Sequence, residues 1–197
     1  MAYTLDAIIA ARPLLDRHRQ RYASVRVAPL QHGLGLIPLA GSLPGEIAAT
    51  GTDAASATMG GSWDWTPEFA AWFNRNGCKG AELPPFCNLS PLLVAWIEHL
   101  SHDGAVAYVE VECWGGPCSQ VAAIWRDGGL VEGPVVDEFG PDVPPSVLGG
   151  AVNHALRWMG IVADCNLDEF EAVGLGTYRF TGDWLDHDER KPLGRVQ

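Results

Sequence analysis

The chain has little of what would place it in a membrane or outside the cell. No apolar run approaches the roughly 20 residues that a helix needs to cross a bilayer, and the longest, such as 91–97, falls far short. The N-terminus, Met1-Ala-Tyr-Thr-Leu-Asp, has no basic stretch followed by an apolar run and a small-residue cleavage site, so no secretory leader is expected. Cysteines are few and odd in number. Cys78, Cys87, Cys113, Cys118 and Cys165 point away from a disulfide framework and toward reduced thiols that serve mostly as small hydrophobes. These absences together predict a cytoplasmic protein.

Positive charge is also short. Thirteen Lys and Arg face 24 Asp and Glu, a net charge of −11, which disfavours nucleic acid and anionic membranes and favours a basic partner. The imbalance is local: the first thirty residues hold five arginines against Asp6 and Asp16, so the remainder carries −14.

What is present suits one globular domain over residues 1–197: 47% of the residues are apolar and 19% charged. Leu5, Ile8 and Ile9, with Thr4 as cap and Pro13 as a kink, predict a helix over 4–21. Residues 25–39 read as two short strands or as one strand followed by an extended segment, and the small, polar stretch 40–62 as a flexible loop. Thr66-Pro67 and Ser90-Pro91 each open a helix, the second ending at Asp103-Gly104. Three runs rich in Val, Ile, Tyr and Trp, separated at Gly115-Gly116-Pro117 and Asp127-Gly128-Gly129, predict an antiparallel meander over 105–136. A helix follows over 146–159, then a short one capped by Asn166 with Glu169. The expected class is α+β, an antiparallel β-meander packed against several α-helices.

The chemistry concentrates in residues 107–125, AYVEVECWGGPCSQVAAIW. On a strand, Ala107, Val109 and Val111 should face the core while Tyr108, Glu110 and Glu112 line the other face, wet or covered by a partner. Two carboxylates two residues apart on a strand are about 6–7 Å apart, compatible with acid–base work, yet alternating glutamates more often mark a solvated face. Cys113-x4-Cys118 and Cys78-x8-Cys87 could supply four thiolates, but zinc pairs usually have two to four residues between them, the second interval is too long, and neither pair stands beside a His at ligand spacing, so no metal is expected. A thiol nucleophile at Cys113 or Cys118, with His99 or His154 as base, would lie in an acidic region that opposes thiolate formation. The residues best suit a binding face for a basic protein: Tyr108, Glu110, Glu112 and Trp114, extended by Asp137, Glu138 and Asp142. On that reading, changing both glutamates to lysine should leave the fold intact. Of the other tryptophans, Trp72, Trp96, Trp125 and Trp158 read as core, whereas Trp63, Trp65 and Trp184 read as partly exposed; Asp186, His187 and Asp188 read as a solvated tail.

The pattern Ala107-Tyr108-Val109-Glu110, Gly115-Gly116, Gln120, Ala122-Ala123 and Trp125, followed by Gly174-Leu175-Gly176, Arg179, Thr181 and Asp183-Trp184-Leu185, resembles immunity proteins, small bacterial proteins encoded beside polymorphic or contact-delivered toxins. The resemblance covers roughly 105–185, and the chain departs from it at Pro117-Cys118 and in the 40–62 stretch. It implies a cytoplasmic inhibitor with no catalysis and no cofactor of its own, which binds a cognate toxin. A body of charge −14 agrees with a toxin whose active-site surface is basic. The alternative is a small hydrolase or transferase using the Glu110 and Glu112 carboxylates.

Overall fold

A computed structural model describes residues 2–49, 86–139, 150–164 and 167–186. Its frame is a six-stranded sheet of order β2-β3-β1-β4-β5-β6. The strands are β1 (Tyr3–Ala11), β2 (Ala28–Pro29), β3 (Leu34–Pro38), β4 (Val106–Cys113), β5 (Cys118–Arg126) and β6 (Gly129–Phe139). Every neighbouring pair is antiparallel. The helices are α1 (Arg12–His18), α2 (Leu43–Ala49), α3 (Pro91–Ser101), α4 (Ala151–Trp158) and α5 (Glu169–Ala172), followed by 3-10 turns at Leu175–Thr177 and Thr181–Asp186. The α+β class and the antiparallel meander expected from the sequence are both present. No helix among the described residues is long and apolar enough to cross a membrane.

Both faces of the sheet are covered, so the middle of β1, β4 and β5 is buried whichever way a side chain points. On one face Ile8, Ala10, Tyr108, Ala123 and Trp125 pack with Leu14 and Leu15 of α1, Leu43 and Ile47 of α2, and Leu93, Trp96, Ile97 and Leu100 of α3. On the other, Leu5, Ala7, Ile9, Val109, Val111 and Ile124 pack with Val152, Ala155 and Leu156 of α4 and with Leu175 and Trp184. At about 25 cal/mol per Å2 of apolar surface removed from water, these two layers are the main source of stability.

The first element departs from expectation. Residues 3–11 form the strand between β3 and β4 rather than a helix, and α1 is confined to Arg12–His18, with Pro13 in its first turn. Because β1 is buried on both faces, its apolar residues run almost without interruption, and Leu5, Ile8 and Ile9 happen to fall at helical spacing. Within 40–62, residues 43–49 are helical, and 50–62 lie outside the described residues. The helix expected after Thr66 also lies outside them. α3 begins where expected: Ser90 caps it, its hydroxyl accepting from the Leu93 N–H at 3.1 Å. The helix expected over 146–159 is observed at Ala151–Trp158. The cap of α5 is Asp168, which accepts from the Glu171 N–H at 2.8 Å; Asn166 lies outside the described residues. Trp184, expected to be partly exposed, is buried against the ring of Tyr178.

The expectation of reduced thiols is corrected at one pair. Cys113 and Cys118, directly opposite across the β4–β5 ladder, form a disulfide, and Cys87 is free. Counting cysteines could not reveal this, because the pairing depends on the hairpin register. Cys78 and Cys165 lie outside the described residues.

Candidate functional site

Asp6 pairs with Glu110 and Thr4 with Glu112 between β1 and β4, while Glu110 and Glu112 pair with Val121 and Ser119 of β5. Residues opposite one another across a ladder share a face. These six side chains therefore form one patch at the end of the sheet, beyond the part that α3 covers. The segment Cys87-Asn88, which leads into α3, walls one side. Together the eight residues line an open cleft of about 280 Å3. Three of them are carboxylates and none is Lys, Arg or His.

The three carboxylates have different tasks. Glu110 is buried, and both of its oxygens are engaged: Oε1 accepts from the Tyr108 hydroxyl at 2.6 Å and the Asn88 N–H at 2.8 Å, and Oε2 from the Cys87 N–H at 2.7 Å. It anchors the loop to the sheet. Asp6 is half-buried, and its Oδ2 accepts from the Asn88 side-chain amide at 3.0 Å. Glu112 is exposed, and its Oε1 accepts from the Trp114 indole N–H at 2.8 Å. Among the described residues no hydrogen bond is made to Asp6 Oδ1 or to Glu112 Oε2, and both residues line the cleft.

The electrostatics follow from this crowding. Burial raises the Asp6 carboxyl above its ordinary value, and the Glu112 charge adds to the rise against the opposing Asn88 hydrogen bond. Burial also raises Glu110, although the hydrogen bonds from Tyr108, Cys87 and Asn88 pull the other way. The Cys87 thiol is pushed up by burial and then by the charges of Glu110, Glu112 and Asp6, so it stays protonated at neutral pH and is a poor nucleophile. Burial and the Glu110 charge lift the Tyr108 hydroxyl well above its ordinary value.

A group whose acid is weaker in the folded chain stabilises the fold when protonated and works against it when ionised. For Asp6 this contribution is lost as pH rises from its ordinary 3.8 through its raised folded value. Asp6→Asn keeps an acceptor for Asn88 and removes the charge. The variant should be more stable than the parent at pH 7, and its advantage should shrink as the pH is lowered through that window. Urea unfolding across a pH series measures this; an advantage that does not change with pH would mean that Asp6 is not strained in the cleft.

The structure divides the residues expected to bind a partner. Glu112 is exposed and Trp114 is 57% exposed, joined by their hydrogen bond at the rim. Tyr108 is fully buried and Glu110 only 7% exposed, so neither is an accessible contact. The alternation along β4 is as expected, but the face opposite Val109 is covered by α3 and Phe86 rather than left open. Glu110→Lys would therefore damage the fold, contrary to the expectation for the double lysine change. Asp137 pairs with Gln120, which pairs with Val111, placing it on the opposite face of the sheet from the cleft. Glu138 pairs through its backbone with Ser119. Asp142 lies outside the described residues.

The cleft also contains residues that the sequence did not assign to this face: Thr4, Asp6, Cys87, Asn88 and Ser119. Asp6 alone carried a signal, as the one charge in the apolar run 5–11. No family model, curated protein or solved structure matches the chain.

Proposed function

We propose that the chain is an immunity protein that neutralises a cognate bacterial toxin by receiving a basic side chain of that toxin in the acidic cleft. The observation that carries this reading is the cleft itself: three carboxylates on two paired strands, with no Lys, Arg or His among the described residues that line it. Carboxylates held this close repel one another, and an incoming guanidinium or ammonium would relieve that repulsion. Among the described residues, no group of three or more His, Cys, Asp and Glu has the arrangement of a metal site. The cation best suited to this geometry is one that donates separate hydrogen bonds to Asp6 Oδ1 and Glu112 Oε2, as arginine does. Trp114 at the rim supplies the aromatic anchor that such interfaces favour, and the acidic body steers a basic partner inward.

The rival reading, a hydrolase or transferase using Glu110 and Glu112, is favoured by one observation, that the glutamates do border a concave cleft. Against it, both oxygens of Glu110 are committed to holding the loop, which leaves little of that carboxylate for proton transfer. Stoichiometry separates the two. The product of the adjacent open reading frame is expressed with and without this chain, and its toxicity is then titrated with purified protein. An inhibitor abolishes toxicity at one equivalent and elutes as a complex; full protection at a small fraction of an equivalent would establish the enzyme reading instead, and a harmless neighbour would remove the immunity reading.

A further inference from the structure

Cys113 ends β4 and Cys118 opens β5, and the turn between them, Trp114 to Pro117, is exposed throughout. The Trp114 N–H donates to the Pro117 carbonyl at 3.0 Å and closes the turn. The disulfide beneath this turn is not what holds the domain together. A link across a sequence separation of 5 restricts the unfolded chain far less than one spanning the domain, and two packed layers already bind the sheet. The position of each cysteine is also fixed from outside the hairpin: Cys113 pairs with Tyr3 of β1, and Cys118 with Phe139 of β6. The ladder thus holds the two cysteine backbones opposite one another independently of the bond between their sulfurs.

We propose that Cys113 and Cys118 form a reversible thiol-oxidation site, served by a small disulfide of the glutathione class, that sets how firmly the Trp114 turn is held. Cys113 is partly exposed and Cys118 is buried, so Cys113 is the entry point. Its thiolate attacks one sulfur of oxidised glutathione, the S–S bond breaks, and one glutathione leaves as thiolate. Cys118, having given up its proton, then attacks the Cys113 sulfur of the mixed disulfide and expels the second glutathione. Two protein thiols and one oxidised glutathione become one protein disulfide and two reduced glutathiones, and dithiothreitol runs the balance in reverse. Because the turn presents Trp114 and its bond to Glu112, the site would regulate partner capture; that consequence rests on the immunity reading, whereas the thiol chemistry does not.

The test uses the folded full chain without a partner. The protein is equilibrated in glutathione buffers of graded ratio, quenched by alkylation and mapped by mass, with hydrogen exchange measured on the fully oxidised and fully reduced samples. The pair should pass from dithiol to disulfide across the series and return on addition of dithiothreitol. Reduction should speed exchange at the Trp114 amide by roughly threefold or more, as a turn that opens more often requires, with Val109 and Val111 unchanged. The Cys113→Ser, Cys118→Ser double variant should show the faster rate in every buffer. A pair fixed in one state at all ratios, or a Trp114 amide that exchanges equally in both states, overturns the proposal. Neither result bears on toxin neutralisation, which the stoichiometric titration reads separately.

Discussion

Glu110→Ala should cost the fold about 2–4 kcal/mol, the largest stability loss expected of any single change in the cleft. The reason is what the carboxylate leaves behind. Its removal deprives the Tyr108 hydroxyl and the Cys87 and Asn88 N–H groups of their acceptor, and Tyr108 is fully buried. An unsatisfied buried donor costs about 1–3 kcal/mol, but water can enter the open cleft beside Cys87 and Asn88, so the three losses do not sum in full. Glu110→Gln should fall between parent and alanine, since an amide keeps one acceptor oxygen and turns a second set of donors toward an N–H. Urea unfolding gives the order parent, glutamine, alanine. Hydrogen exchange at Cys87 and Asn88 should rise with the same ranking. An alanine variant within about 0.5 kcal/mol of the parent would mean that the loop before α3 is held by its apolar contacts, Phe86 on Tyr108 first among them.

This double role of a glutamate shows where sequence reading stopped. Along β4 the alternation of side chains was legible, and so were the meander turns at Gly115-Gly116 and Asp127-Gly128 and the Ser90 cap of α3, because each depends on residues close together in the chain. The direction of each side chain was therefore available, but the cover was not. Whether Glu110 meets water or the Cys87-Asn88 backbone depends on a segment 22 or 23 positions away in sequence. The same limit hid Asp6. Its partner Glu110 lies across a ladder between the first strand and the fourth, and β1 itself read as helical because both of its faces are apolar. Long-range register is set by the packing of two layers at once, which no local period records. Two of the eight cleft residues were thus visible as Glu110 and Glu112, while the six supplied by β1, the loop and β5 became part of a site only when the sheet was assembled.

The second large effect is on capture. If the cleft receives a basic side chain, Glu112→Lys places an ammonium where that side chain must dock, and it should weaken toxin binding by about 100-fold or more with little change in stability, since Glu112 is exposed. Asp6→Asn should cost less, about tenfold, because a neutral acceptor remains at the same place. The two changes should also differ in kinetics. Glu112 lies at the rim, where charge steers the encounter, so its replacement should slow association most at low salt, and the deficit should narrow as salt screens the field. Asp6 lies deeper, so its loss should appear chiefly as faster dissociation that salt hardly alters. Association and dissociation rates measured at several salt concentrations for the parent, Glu112→Lys and Asp6→Asn test both assignments at once. If Glu112→Lys binds as tightly as the parent, the cleft is not the contact surface, whatever else the chain neutralises. If both variants lose affinity but Asp6→Asn is also the more stable protein at neutral pH, the strain among the three carboxylates is what binding uses: stability forgone in the free protein is recovered when the partner's cation enters.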